Sequence, residues 1–298
     1  MGDLNRAWHI RHPSGEYIVK CLKFPPDDYQ RQKLTQSCAV MDHLHRQGFP
    51  CPKPIQNAQG EFFVEYEGRD YHVITVIDGQ GVSNGVTEPQ IIQVGELMGN
   101  FHRLQHDLAN VPAPYDIRGR IRKGMDRIIA EWDTFGMTRV EIREAGHEAC
   151  LRIDELWQKQ SGLPAGLMHT DAQSGNILFE GEQIMGLIDF EVIPGSFLLD
   201  LCHSAICWAA RFDPANEISH LDHDCLFQFL NAYNRTRRIS ELEKNVLKDI
   251  LLLAAIWSWS RQRPQRSDDP SWRLTSRGDI YIAIRDMDVR RLSDDENG

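Results

Sequence analysis

The chain has 298 residues, 41% hydrophobic and 26% charged, with a net charge of -10. That length can build two lobes with separate apolar cores, and the acidity argues against a nucleic-acid backbone as partner. The longest apolar run, residues 250–256, is too short to span a bilayer, residues 1–6 carry no apolar leader, and seven scattered cysteines without a C-x-x-C pair read as reduced thiols, so no membrane partner and a cytoplasmic location are expected.

Strand patterns come first. Residues 7–10 and 17–21 flank a Pro13-Ser14-Gly15-Glu16 turn and predict a hairpin. Pro25-Pro26-Asp27-Asp28 opens a helix expected to run to Gln47, where Gly48 ends it. Its apolar residues Leu34, Cys38, Met41 and Leu44 recur at helical spacing. Phe49-Pro50-Cys51-Pro52-Lys53-Pro54 is an extended connector, because proline lacks the amide donor. Residues 62–66 and 71–77 predict a second strand pair. Asp78-Gly79-Gln80-Gly81 then breaks the pattern and places a lobe boundary, giving residues 1–79 and 80–298.

The remainder reads as mostly helical. Thr87 and Gln90 form a capping-box pattern before a helix over 91–106. Two polar helices are expected within 117–160, and two short strands over 176–179 and 184–188. Further helices are expected over 196–210, 222–234, from the Ser240/Glu243 cap to 261, and over 276–292. Residues 263–270 read as a polar loop and 293–298 as a frayed acidic tail.

The chemistry concentrates in His169-Thr170-Asp171-Ala172-Gln173-Ser174-Gly175-Asn176 and Ile188-Asp189-Phe190-Glu191. An Asp, an Asn five positions on and a second Asp after a hairpin suit phosphoryl transfer from a metal-bound nucleotide. Asp171 would orient an attacking hydroxyl, and Asn176 and Asp189 would hold Mg2+ through hard oxygen donors. His169 reads as a loop brace. Asp200, polar within an apolar helix start, would anchor the loop through its backbone amides, with plain helix capping as the rival.

H-x-D-x-x-x-x-N followed by D-F-E resembles the aminoglycoside phosphotransferase and choline kinase superfamily. The resemblance extends through Gly15-Glu16-Tyr17-Ile18-Val19-Lys20, the Gly48–Pro54 connector and Asp200-Leu201. It implies an α+β, protein-kinase-like two-lobe fold, with a small β-rich N-lobe lacking its first strand and a larger helical C-lobe. It also implies an ATP- and Mg2+-dependent small-molecule kinase acting on a hydroxyl. Lys20 would contact the nucleotide phosphates, and backbone groups of Val76, Ile77 and Asp78 would bind adenine. The Gly-x-Pro-Cys-Pro connector, Phe229–Asn234, Leu252–Trp257 and Ser260-Arg261 are similar to the bacterial homoserine kinase branch. A homoserine-like amino-alcohol is therefore the favoured acceptor; an aminoglycoside acceptor, or a weakly catalytic binding protein of this fold, is the alternative.

Two departures from the family pattern stand out. No glutamate lies between residues 28 and 60, so Lys20 is expected to lack its helix ion-pair partner, with Gln36 or Ser37 near that place. Gly2-Asp3-Leu4-Asn5 resembles the end of the nucleotide-covering loop, so the true start is expected upstream. Trp208, Tyr233, Trp257 and Trp259 read as core or as a substrate wall. Arg211, Arg261 and Arg263 read as surface ion pairs or as carboxylate ligands. The His220-Leu221-Asp222-His223-Asp224-Cys225 segment reads as an acidic helix start rather than a metal site.

Overall fold

Period-two alternation and a Pro-Ser turn produce the first hairpin, in which β1 (Asn5–His12) pairs antiparallel with β2 (Gly15–Leu22). Gly15 opens β2 at φ +144°, a conformation that favours glycine. The computed structural model describes residues 5–22, 28–82, 85–105, 115–133, 138–262 and 272–288. The expected residues of the covering loop before Asn5, the start of the first helix at 25–27, His106, the 263–270 loop and the 293–298 tail lie outside them.

Next come α1 (Asp28–Arg46), β3 (Pro54–Ile55), β4 (Phe63–Tyr66) and β5 (Arg69–Thr75). The sheet order is β1-β2-β5-β3, with β4 also pairing with β5. Leu34, Cys38, Met41 and Leu44 of α1 are buried, as their spacing requires. Lys20 lies opposite His72 and Ile18 opposite Ile74. Alternation in β5 buries Asp70, His72 and Ile74, so Lys20 shares the inward face of the sheet.

The helical part begins with α2 (Glu88–Arg103), whose Thr87/Gln90 capping box is formed. It is followed by α3 (Ile117–Ala130) and α4 (Val140–Gln158). Strands β6 (Ala165–Met168), β7 (Ile177–Glu180), β8 (Gln183–Leu187) and β9 (Ile193–Ser196) come next. Then follow α5 (Phe197–Ala209), β10 (Ala210–Asp213), β11 (Ile218–Leu221), α6 (His223–Thr236), α7 (Glu241–Ser260) and α8 (Trp272–Asp286). A side chain at Gly95 of α2 would sit 2.5 Å from the Phe229 carbonyl, so glycine lets α2 and α6 approach closely. The end of α7 is buried continuously over Ile250–Ser260, which explains the apolar run as a core helix. No helix among the described residues is long and apolar enough to cross a membrane.

The structure differs from the sequence expectation in three places. β6 pairs with β9, a ladder whose two short strands are separated by 24 residues and carry no strong alternation. α5 ends at Ala209, where Ala210 turns extended, and β10 pairs with β11, a ladder in a stretch to which the sequence assigns no element. α8 begins at Trp272 and ends at Asp286, rather than spanning 276–292.

Candidate active site

β6 delivers the chain to His169, and from there the loop is built around Asp200. This carboxylate is buried in the first turn of α5. It accepts the backbone amides of His169 and Thr170, both at 2.8 Å, and His102 Nε2 at 3.1 Å. Burial pushes the Asp200 carboxyl up; the His102 bond, the nearby imidazoles and the loop amide outweigh it and hold it below the ordinary range. An ionised carboxylate only accepts, so the His102 proton sits on Nε2 and Nδ1 accepts from the Tyr233 hydroxyl at 2.8 Å. Arg237 donates to the Tyr233 oxygen and to Glu243, each at 3.0 Å, extending the network to the start of α7.

Thr170 is held at φ +66°, a strained conformation for a β-branched residue. Asp200 grips its N–H, and Arg261 donates to its carbonyl at 3.0 Å. The strain turns Asp171 outward, leaving its side chain 31% exposed. Asn176 Nδ2 donates to Asp171 Oδ2 at 2.8 Å and to its carbonyl at 2.9 Å, while Gln173 Nε2 reaches Oδ1 at 3.1 Å. Arg261 lies 3.7 Å from the same Oδ1. The Ala172 carbonyl accepts from Ser204 Oγ at 2.8 Å and Trp208 Nε1 at 2.9 Å.

The β7–β8 hairpin brings the second motif back to the first. The Ile188 amide donates to the Asn176 carbonyl at 2.8 Å, and the Ile188 carbonyl lies 3.0 Å from His169 Nε2. His169 is fully buried, and burial lowers its pKa despite the carboxylates around it, so it braces the loop as a neutral imidazole. Asp189 follows at φ +63°. Its carboxylate accepts from Lys20 Nζ at 2.7 Å. Burial raises the Asp189 pKa, and Lys20 more than reverses that, so the group stays ionised below the ordinary range.

In place of the helix glutamate that the family pattern expects, Asp189 pairs with Lys20. Gln36 and Ser37 are buried, and Gln36 Nε2 and Ser37 Oγ have no protein partner. Val76, Ile77 and Asp78 follow β5 directly, and the Val76 amide is already committed to the Glu16 carbonyl at 3.2 Å. Gln80 exchanges two 2.9 Å backbone bonds with Phe179. At Gly81 a side chain would collide with the Ser174 carbonyl, so glycine lets this segment lie against the Asp171 loop.

Lys20 pairs with Asp189 and Asp171 with Asn176, and the two pairs are joined through the Ile188 amide on the Asn176 carbonyl. Arg261, Ser204 and Trp208 join them; Arg261 carried a sequence signal as a candidate anion ligand and Trp208 as core or substrate wall, while Ser204 carried none. Arg211 instead pairs with Asp222 at 3.2 Å, and Asp222 caps α6 by accepting the Cys225 amide. Arg263 lies outside the described residues. Trp208, Tyr233, Trp257 and Trp259 are buried, with Trp259 and Tyr233 wholly inside the core. Among the described residues no group of three or more His, Cys, Asp or Glu could hold a metal ion. A hard cation at this site would therefore rely on one carboxylate, the Asn176 oxygen left by its committed nitrogen, and oxygens from the nucleotide and water. That donor chemistry suits Mg2+.

A β-rich part joined to a larger helical part, with this loop and hairpin between them, defines the protein-kinase-like two-lobe α+β fold. The amicoumacin kinase hAmiN, solved in complex with AMP-PNP, Ca2+ and Ami, shares it with TM-score 0.70 at 15% identity, covering 98% of this chain and 90% of that one. Spectinomycin phosphotransferase, in complex with ADP and spectinomycin, aligns with TM-score 0.59 at 16% identity, covering 95% and 90%. Residues 2–239 match the phosphotransferase enzyme family, APH, and the chain belongs to that family. It is a small-molecule kinase. Homoserine kinase of Methylobacillus glycogenes is 23% identical over 261 residues, which is 87% of this chain and 76% of the relative.

Proposed function

We propose that the protein transfers the γ-phosphoryl group of ATP, with Mg2+, to a hydroxyl of a small polar molecule, a homoserine-like amino-alcohol being the favoured acceptor. The observation that carries this reading is the linked constellation of Asp171 bonded to Asn176, and Asp189 beside Asn176 and bonded to Lys20. Asp171 orients the acceptor hydroxyl and takes its proton as the oxygen attacks. Asn176 fixes the Asp171 carboxylate with its nitrogen and offers its oxygen to the cation. Asp189 is the second metal ligand, and Lys20 turns from Asp189 toward the phosphates. Backbone groups of Ile77 and Asp78, and the Val76 carbonyl, hold the adenine. When bound, Mg2+ held by Asn176 and Asp189 would supply charge neutralisation at the phosphates. We place the lobe boundary between residues 79 and 80 and the protein in the cytoplasm, a setting that suits its seven free thiols.

Acceptor choice rests on the homoserine kinase relatives and on the cation beside Asp171. Arg261 disfavours a polycationic aminoglycoside at this spot. The test is Mg2+-dependent ADP formation with ATP and a panel of L-homoserine, ethanolamine, choline and an aminoglycoside. Homoserine-dependent turnover is expected. Nucleotide-induced thermal stabilisation without turnover on any acceptor would instead favour the weakly catalytic binding protein.

A further inference from the structure

A second feature lies beside this site. The end of α5, β10 and the second turn of α8 enclose a cavity of about 290 Å3. Cys207, Arg211, Gln262 and Arg277 line it, and among the described residues none that lines it is acidic. The two arginines differ. Arg211 is pinned, donating to the Trp208 carbonyl at 2.5 Å and pairing with Asp222. Arg277 is partly buried and makes no hydrogen bond or ion pair among the described residues. A partly desolvated cation facing a cavity with no acid among its described lining lacks a described counter-charge of the kind that such burial calls for.

The cavity's position connects it to the transfer chemistry. Cys207 precedes Trp208, whose indole holds the Ala172 carbonyl next to Asp171. The Cys207 thiol lies within electrostatic reach of Asp171, Arg261 and Arg277 together, and buried His203 one turn earlier feels both arginines. Arg277 and Cys207 thus share the lining of a cavity next to the elements that hold the Asp171 loop.

We infer that this cavity is an anion subsite in which Arg277 binds the carboxylate of an acceptor whose hydroxyl is presented to Asp171. The inference rests on the kinase reading above and narrows its acceptors to hydroxylated compounds that carry a carboxylate. Arg261, 3.7 Å from Asp171, adds a second positive charge near the hydroxyl end of such a molecule. A guanidinium suits the role because it meets a carboxylate with two parallel N–H bonds.

The test compares the wild type, Arg277→Met and Arg277→Lys in the full chain. Acceptors are L-homoserine, L-serine and 4-hydroxybutyrate against the carboxylate-free 3-aminopropan-1-ol, ethanolamine and kanamycin. The wild type should turn over a carboxylate-bearing acceptor. Arg277→Met should raise its KM about tenfold or more while kcat stays within about threefold, since ground-state binding is what is lost. Arg277→Lys should recover part of that loss, and thermal stabilisation by AMP-PNP should match the wild type in both variants. An unchanged KM in Arg277→Met overturns the subsite. So does a wild type that phosphorylates only the carboxylate-free compounds, although the kinase reading then survives. If none of the six is phosphorylated and AMP-PNP gives no stabilisation, the kinase reading falls and the subsite falls with it.

Discussion

Around Asp171 the loop is gripped from distant helices. Asp200, Ser204 and Trp208 reach it from α5 and Arg261 from the end of α7, each through a bond to loop backbone. Around Lys20 the chain does less. One ion pair ties Lys20 to Asp189, while His72 Nδ1 opposite it in β5, and Gln36 Nε2 and Ser37 Oγ in α1, are buried without a protein partner. The difference separates two kinds of preparation. A group that handles a hydroxyl must be in place before reaction, because reorganisation adds to the barrier. A lysine that meets a phosphate can be parked on a metal-ligand carboxylate until the nucleotide displaces it.

That contrast can be broken in four ways. The largest effect is expected at the chemistry itself: Asp171→Asn should lower turnover by about a thousandfold or more. Its melting temperature should stay close to the wild type, because the side chain is partly exposed and gives little to packing. Turnover near the wild-type rate in a coupled ADP assay would remove Asp171 from its role.

The Asp200 grip is next. Asp200→Ala orphans two buried loop amides and His102, and should cost about 3–5 kcal/mol. For a chain of this size that is a melting temperature lower by roughly 6–15 °C. A calorimetric melt within a degree or two of the wild type would show that the loop is held by something else.

Acid should act through the buried imidazoles. Burial takes His203 down to about 3 and His72 down to about 4 from an ordinary 6.5. Between 6.5 and those values the unfolded chain binds the protons and the folded chain does not. Their contribution is therefore complete above 6.5 and is lost as pH falls toward 4, by about 1.4 kcal/mol per unit for each imidazole. Urea melts at pH 7.5 and 5.5 should differ by about 3 kcal/mol from these two groups, and His203→Gln should make the dependence shallower. A flat profile over that range contradicts the buried neutral state.

The smallest effect should come from Lys20→Met, which removes a single charge from the less prepared half. The KM for ATP should rise about tenfold, with hardly any change in melting temperature. If this variant instead melted as low as Asp200→Ala, the two halves would be equally structural and the contrast would disappear.

Much of this molecule was legible before its fold was known. The hairpin at Pro13-Ser14, the Thr87 and Ser240 capping boxes and the core-facing residues of α1 follow from turn chemistry, capping and period. The 13-position spacing from Asn176 to Asp189 announced a hairpin that returns one motif to the other. The β6–β9 and β10–β11 ladders were not legible, because four-residue strands between loops and helices carry too little alternation to stand out.

By itself, the order of residues picked out the groups proposed for the chemistry, since Asp171, Asn176 and Asp189 are related by short spacings that local structure preserves. It also determined where helices begin, through side chains that cap them. Only the tertiary structure decided who holds those groups: Asp189 for Lys20, 169 positions away, and Arg261 for Thr170, 91 positions away. It also left Arg277 facing a cavity with no acid among its described lining. Partners at such separations meet through packing of whole elements, and no local period in the chain encodes that meeting.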